Sequence, residues 1–125
     1  MAVFDTNLLI NYLHGDKKAI EAVRMYSKIG RLSITCINKY ELMRGATLAG
    51  EMLLDELLSN FNVLYFDNGS IAIASNIYKK LRSEGKIVDD ADILIASIAI
   101  ANDEILITSD KDFERINSKL IKVVS

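Results

Sequence analysis

Apolar and polar positions along this chain follow two alternating rhythms. Short, nearly unbroken apolar runs occur at Ala2 to Asp5, Leu32 to Cys36, Val63 to Phe66, Ile105 to Thr108 and Leu120 to Val124. Runs of that length predict strands, and their lack of polar alternation predicts strands covered on both faces. Between them, apolar residues recur at helical spacing: Ala19, Ala22, Val23 and Tyr26; Leu54, Leu57, Leu58 and Phe61; Ile71, Ala74, Ile77, Tyr78 and Leu81. These stripes predict packing faces of helices, with Gly30, Gly50 and Gly85 as punctuation. Strand and helix alternate from end to end, which is the pattern of an α/β domain built on a parallel sheet. No Pro-rich or Ser-rich block and no repeat divides the chain, so residues 1–125 are expected to form one domain.

Composition narrows the setting. Half of the residues are hydrophobic and 26% are charged, and no apolar run approaches the ~20 residues of a membrane span. With no basic, apolar leader at the N-terminus, a cytoplasmic location is the expectation. Cys36 is the only cysteine, which excludes an internal disulfide, and its neighbours Ile34 and Ile37 suggest a small core residue. The formal net charge of −2 is unlike that of proteins that grip nucleic acid by bulk electrostatics. Bound cations would have to supply that attraction.

The acids are the informative feature. In a parallel α/β domain, strand C-termini and the N-termini of the following helices share one rim, where ligands bind. Asp5 closes the first strand, Asp110 follows the fourth by two residues, and Asp92 falls in the first turn of a helix beginning near Asp89. Glu41 lies in the first turns of the helix after the second strand, flanked by Tyr40, Leu42 and Met43, an expensive place for an unpaired carboxylate. Taken singly, Asp5 and Asp110 read as helix caps, and Asp89 with Asp92 as a capping box. Glu41 has no such reading, and a metal site accounts for all four together. Oxygen-only ligation suits Mg²⁺ or Mn²⁺. The sole histidine, His14, sits beside Gly15 as a surface-loop residue, zinc sites lack ligands, and no phosphate-binding Gly-rich loop is present. Phosphodiester hydrolysis is the chemistry that remains.

The segments Asp5-Thr6-Asn7, Tyr40-Glu41-Leu42 with Gly45, Asp90-Ala91-Asp92-Ile93-Leu94-Ile95-Ala96 and Thr108-Ser109-Asp110-Lys111-Asp112-Phe113 stand in an order and spacing that resembles the PIN-domain family, and its compact VapC-type toxin members in particular. Each segment alone is a weak signal, whereas the ordered set spans the whole chain. The resemblance implies a three-layer α/β/α fold with a five-stranded parallel sheet of order 3-2-1-4-5. It implies a divalent-metal site at the carboxyl rim, cleavage of single-stranded RNA, a co-expressed antitoxin partner and a homodimer. By position, Asp5, Glu41, Asp92 and Asp110 become the catalytic, metal-holding set. The Thr6 and Thr108 hydroxyls orient ligands or water, with Asn7 and Asp90 in support. Lys39, Arg44 and Lys111 lie beside these residues and are candidates for contact with RNA phosphates, although each also reads as solvated surface charge. Asp67 is expected too far from Asp5 to ligate, and Asp112 fits a cap initiated at Ser109. Rival readings are a PIN-fold nuclease of RNA maturation or of DNA, and a non-catalytic module that binds a basic partner through its acidic rim.

Overall fold

The computed structural model describes residues 2–124, so Met1 and Ser125 of the expected domain lie outside the described residues. Its centre is a sheet of β1 (Ala2–Phe4), β2 (Leu32–Thr35), β3 (Asn62–Leu64), β4 (Ile105–Thr108) and β5 (Ile121–Val123). Every neighbouring pair is parallel and the order is β3-β2-β1-β4-β5, as the resemblance implied. The intervening helices are α1 (Thr6–Leu13), α2 (Lys17–Ser27), α3 (Cys36–Arg44), α4 (Leu48–Leu58), α5 (Asn68–Ser83) and α6 (Asp90–Ala101), followed by a 3₁₀ helix over Lys111–Ile116.

Side chains alternate across a strand, so one strand feeds two cores. Phe4, Ile34 and Ile107 point to one face, where Leu8, Leu9, Ala19, Leu42 and Leu58 of α1 to α4 cover them. Val3 and Leu106 point to the other, under Ala74 and Leu81 of α5, Ile93, Ala96 and Ala99 of α6, and Phe113 of the 3₁₀ helix. The connections from β1 through β3 thus run over one face and those from β3 through β5 over the other. The reversal falls between β1 and β4, and it opens a crevice at their carboxyl ends. α3 lies at that rim and contributes to both cores, Leu42 to one and Ile37 to the other.

Several expected boundaries move, each for a physical reason. β1 ends at Phe4, and Asp5 is the extended N-cap of α1, although its N–H still bonds the Ile107 carbonyl at 3.0 Å. Cys36, expected in the second strand and the core, is the first residue of α3 and only partly buried. Thr35 turns the chain there through a capping box with Asn38. That turn also shortens β3. Its register with β2 ends at Thr35 and Leu64, so Tyr65 and Phe66 have no strand to pair with and lie exposed. Gly50 sits inside α4, capped by Thr47, rather than between helices. Left-handed turns fall at Gly15, at φ +80°, and Gly85, at φ +68°, and also at Asp103 and Asn117, at φ +54° and +56°. Phe61 falls beyond the end of α4 but still packs on the first core.

Candidate metal centre at the carboxyl rim

Asp5 is brought to the crevice by β1, and its backbone bond to β4 fixes it opposite Thr108. It is buried, 4% exposed. The Thr108 hydroxyl donates to Asp5 Oδ2 at 2.9 Å, and Asn38 Nδ2 lies 3.5 Å from Asp5 Oδ1. As the N-cap of α1, Asp5 makes no side-chain cap bond, so its carboxylate faces the rim instead of the helix. Burial pushes its pKa up, the Thr108 bond and a backbone bond at Thr6 oppose that shift, and the charges of Glu41 and Asp110 add to it.

Glu41 projects from α3. The Thr6 hydroxyl donates to its Oε1 at 2.8 Å, while Arg44 Nη2 stands 3.9 Å from its Oε2. Asp110 follows β4, and its N–H donates to Thr108 Oγ1 at 3.1 Å. Its carboxylate also accepts from the Asp112 N–H at 2.9 Å, so Asp110 itself is the N-cap of the 3₁₀ helix, and the cap expected at Ser109 is not the one formed. Asp92 occupies the first turn of α6. The capping box weighed for it does not form, since Asp89 makes no side-chain cap bond. Burial first, then the charges of Asp5, Asp110, Asp89 and Glu41, push the Asp92 pKa up to about 7. Carboxylates from β1, α3, α6 and the end of β4 therefore share one electrostatic field.

The remaining candidates are placed unevenly. Thr6 and Thr108 are buried and bonded to acids. Asn7 is exposed on α1, and no hydrogen bond from its side chain is found among the described residues. Asp90 is the exposed first residue of α6, beside a shallow recess lined by Phe66, Ile71, Tyr78 and Leu94. Lys39 is partly buried on α3, Lys111 is exposed at the start of the 3₁₀ helix, and the Arg44 guanidinium lies 5.5 Å from the centre of the Tyr40 ring. Asp67 caps α5 through Ser70. The sequence reading missed Thr35 and Asn38, both wholly buried beneath the acids. The available signal was the Thr35-x-x-Asn38 spacing of a capping box, with Asn38 one turn before Glu41.

Among the described residues, no three of Asp, Glu, His and Cys close into a ready-made cage for a metal ion. The donors nonetheless fit Mg²⁺ or Mn²⁺: they are carboxylate oxygens, and Mg²⁺ commonly keeps several waters and takes one or two carboxylates together with substrate phosphate. Four mutually repelling acids at one rim create a demand for positive charge that no cation beyond Arg44 meets within salt-bridge range among the described residues.

Comparisons with known proteins agree with this architecture. The family model described as the PIN domain matches residues 2–119. Two relatives from Methanocaldococcus jannaschii are Ribonuclease VapC3, 39% identical over 78% of this chain and 96% of its own, and Ribonuclease VapC1, 33% identical over 95% and 83%. Among solved structures, the VapBC2 complex of Rickettsia felis bound to a promoter DNA fragment superposes with a TM-score of 0.88 at 23% identity, covering 99% of this chain and 98% of that one, a likeness of fold. VapBC-1 from nontypeable Haemophilus influenzae gives 0.84 at 25% identity, over 98% and 96%. With the family model spanning nearly the whole described chain and two VapC ribonucleases as relatives, this chain belongs to the PIN-domain family.

Proposed function

We propose that the chain is a metal-dependent endoribonuclease that hydrolyses phosphodiester bonds of single-stranded RNA, and that it is the toxin of a VapBC-type toxin–antitoxin pair. The observation that carries the reading is the convergence of Asp5, Glu41, Asp92 and Asp110 from four separate segments, where burial first and the charges of the other acids second push the Asp92 pKa up to about 7. The names of the two archaeal relatives supply the RNA substrate class. When bound, Mg²⁺ or Mn²⁺ supplies charge against the scissile phosphate and lowers the pKa of a water. The four acids hold the cation. Thr6 and Thr108 orient Glu41 and Asp5, and Asn7 and Asp90 flank the rim. Lys39, Arg44 and Lys111 are the candidates among which some meet RNA phosphates beside these acids.

The partner surface follows from the helices on the first face. α4 leaves Leu48, Met52 and Leu53 at 85%, 76% and 70% exposure. An antitoxin segment with apolar side chains for the α4 side and a basic side chain for the acid rim fits this surface. In this reading the toxin acts in the cytoplasm as a homodimer. Among the described residues, no helix is long and apolar enough to cross a membrane.

The test is cleavage of unstructured RNA by protein freed of any antitoxin. Cleavage is expected with Mg²⁺ or Mn²⁺ and is lost in EDTA, and undiminished cleavage in chelator overturns the reading.

A further inference from the structure

Asn38 is wholly buried and has no part in the chemistry above. It is also the most fully bonded side chain there. Its Oδ1 accepts the Thr35 N–H at 2.9 Å and the Thr35 hydroxyl at 2.7 Å. A backbone N–H can only donate, so this contact fixes which end of the amide is oxygen. Nδ2 must then face the other way, 2.9 Å from Thr6 Oγ1 and 3.5 Å from Asp5 Oδ1. Because Thr6 Oγ1 already accepts from Asn38, its single proton is directed to Glu41 Oε1, 2.8 Å away. Thr108 repeats the arrangement: its oxygen accepts the Asp110 N–H and its proton goes to Asp5 Oδ2. Each hydroxyl is held by an amide that cannot reverse, and each delivers its proton to a carboxylate.

We infer that Asn38 is a positioning residue of the metal centre, acting on Asp5 directly and on Glu41 through the Thr6 hydroxyl, so that both carboxylates present fixed oxygens to a divalent cation. The inference rests on the metal-site reading above. It opposes a simpler role, in which Asn38 serves only to cap α3. The two roles separate because a serine can carry the capping duty: on α5 the equivalent position is Ser70, whose hydroxyl lies 3.3 Å from the Asp67 N–H and completes the capping box there. Asn38→Ser therefore keeps the cap and loses the donor to Thr6. Outer partners of metal ligands typically contribute about 10–100-fold in metal affinity.

The experiment is Mn²⁺ titration of metal-stripped protein, followed by electron paramagnetic resonance or calorimetry, with no RNA present. Wild type is expected to bind. Asn38→Ser and Thr6→Val should each bind about 10–100-fold more weakly, and the double variant no more weakly than the worse single, because both break one relay. Thr6→Ser retains the hydroxyl and should restore wild-type affinity. Failure of wild type to bind Mn²⁺ overturns the metal reading and this inference together. Wild-type binding with Asn38→Ser within about twofold of it overturns the inference alone, as do independent, multiplicative losses in the double variant. Should Asn38→Ser not fold, Thr6→Val leaves the cap untouched, and unchanged affinity in that variant overturns the relay.

Discussion

Asp5 and Glu104 are carboxylates buried to nearly the same degree, 4% and 6% exposed, at opposite ends of adjacent strands. Asp5 follows β1 and Glu104 precedes β4. Burial pushes both pKa values up. Their surroundings differ. Asp5 accepts from Thr108, lies beside the Asn38 amide and feels the charges of Glu41 and Asp110. Glu104 is faced by the Ser33 hydroxyl, which opposes the rise, but its Oε2 is buried with no hydrogen-bond partner among the described residues, and no second acid contributes to its shift. Desolvation alone therefore does not mark a functional acid. The mark at the carboxyl rim is repulsion among several acids combined with donors built to hold them in place.

The largest test of that contrast is to neutralise each acid in turn. Asp5→Asn should abolish Mn²⁺-induced stabilisation and reduce RNA cleavage by more than the roughly 100-fold that marks the upper end for outer partners. Glu104→Gln should leave both unchanged. Cleavage lost equally in the two variants would dissolve the distinction between the rims. A smaller effect tests the donors. Thr108→Val strips the hydroxyl that accepts the Asp110 N–H and donates to Asp5, leaving two polar groups without that partner. It should cost about 1–3 kcal/mol in urea melts. A melt indistinguishable from wild type would show that Asp5 does not depend on this donor.

Much of this rim was legible from residue order, because strand C-termini share an edge whatever their detailed boundaries. The runs at Val3-Phe4, Ile34 and Leu106-Ile107 announce strands by apolar character alone, and these strands form the middle of the sheet. Less legible were the places where a polar side chain decides. The end of β2 is set by the Thr35–Asn38 box, which in turn leaves Tyr65 and Phe66 unpaired at the edge. Asn38 itself reads as an ordinary helix residue, since burial of a polar side chain is visible only once its partners from β1 and α1 are assembled. Asp110 shows that capping and membership of the acid cluster do not exclude each other: one carboxylate oxygen accepts the Asp112 N–H while the group still adds to the field on Asp92. α1 begins inside the Asp5-Thr6-Asn7 segment, at Thr6 with Asp5 as its N-cap; the cap reading of Asp5 anticipates that start, while no helical stripe is read over residues 6–13.

The smallest expected effect concerns stability without metal, and it separates repulsion from capping at Asp92. Its pKa is about 7 in the folded protein, above the ordinary carboxylate value that the unfolded chain has. The folded state therefore holds this proton more tightly. Between about pH 4 and about pH 7 the unfolded chain has lost this proton while the folded state retains it, so stability falls as the pH rises across that interval and is level above it. Asp92→Asn lacks this titration. In EDTA, the variant should match or exceed wild type at pH 8, and its pH–stability curve between pH 4 and 7 should be flatter. In excess Mn²⁺ the order should reverse, because wild type gains the free energy of metal binding and the variant loses a ligand. Glu104→Gln provides the control from the other rim: burial also raises the Glu104 pKa, so a flattening in the same direction is expected in EDTA, but the gain should persist unchanged in Mn²⁺. If Asp92 instead acted by favourable interaction with the N-terminus of α6, Asp92→Asn would cost about 0.3–1 kcal/mol in EDTA. Its response to Mn²⁺ would then remain that of wild type. That outcome would place Asp92 with Glu104, among acids that are buried without holding a metal.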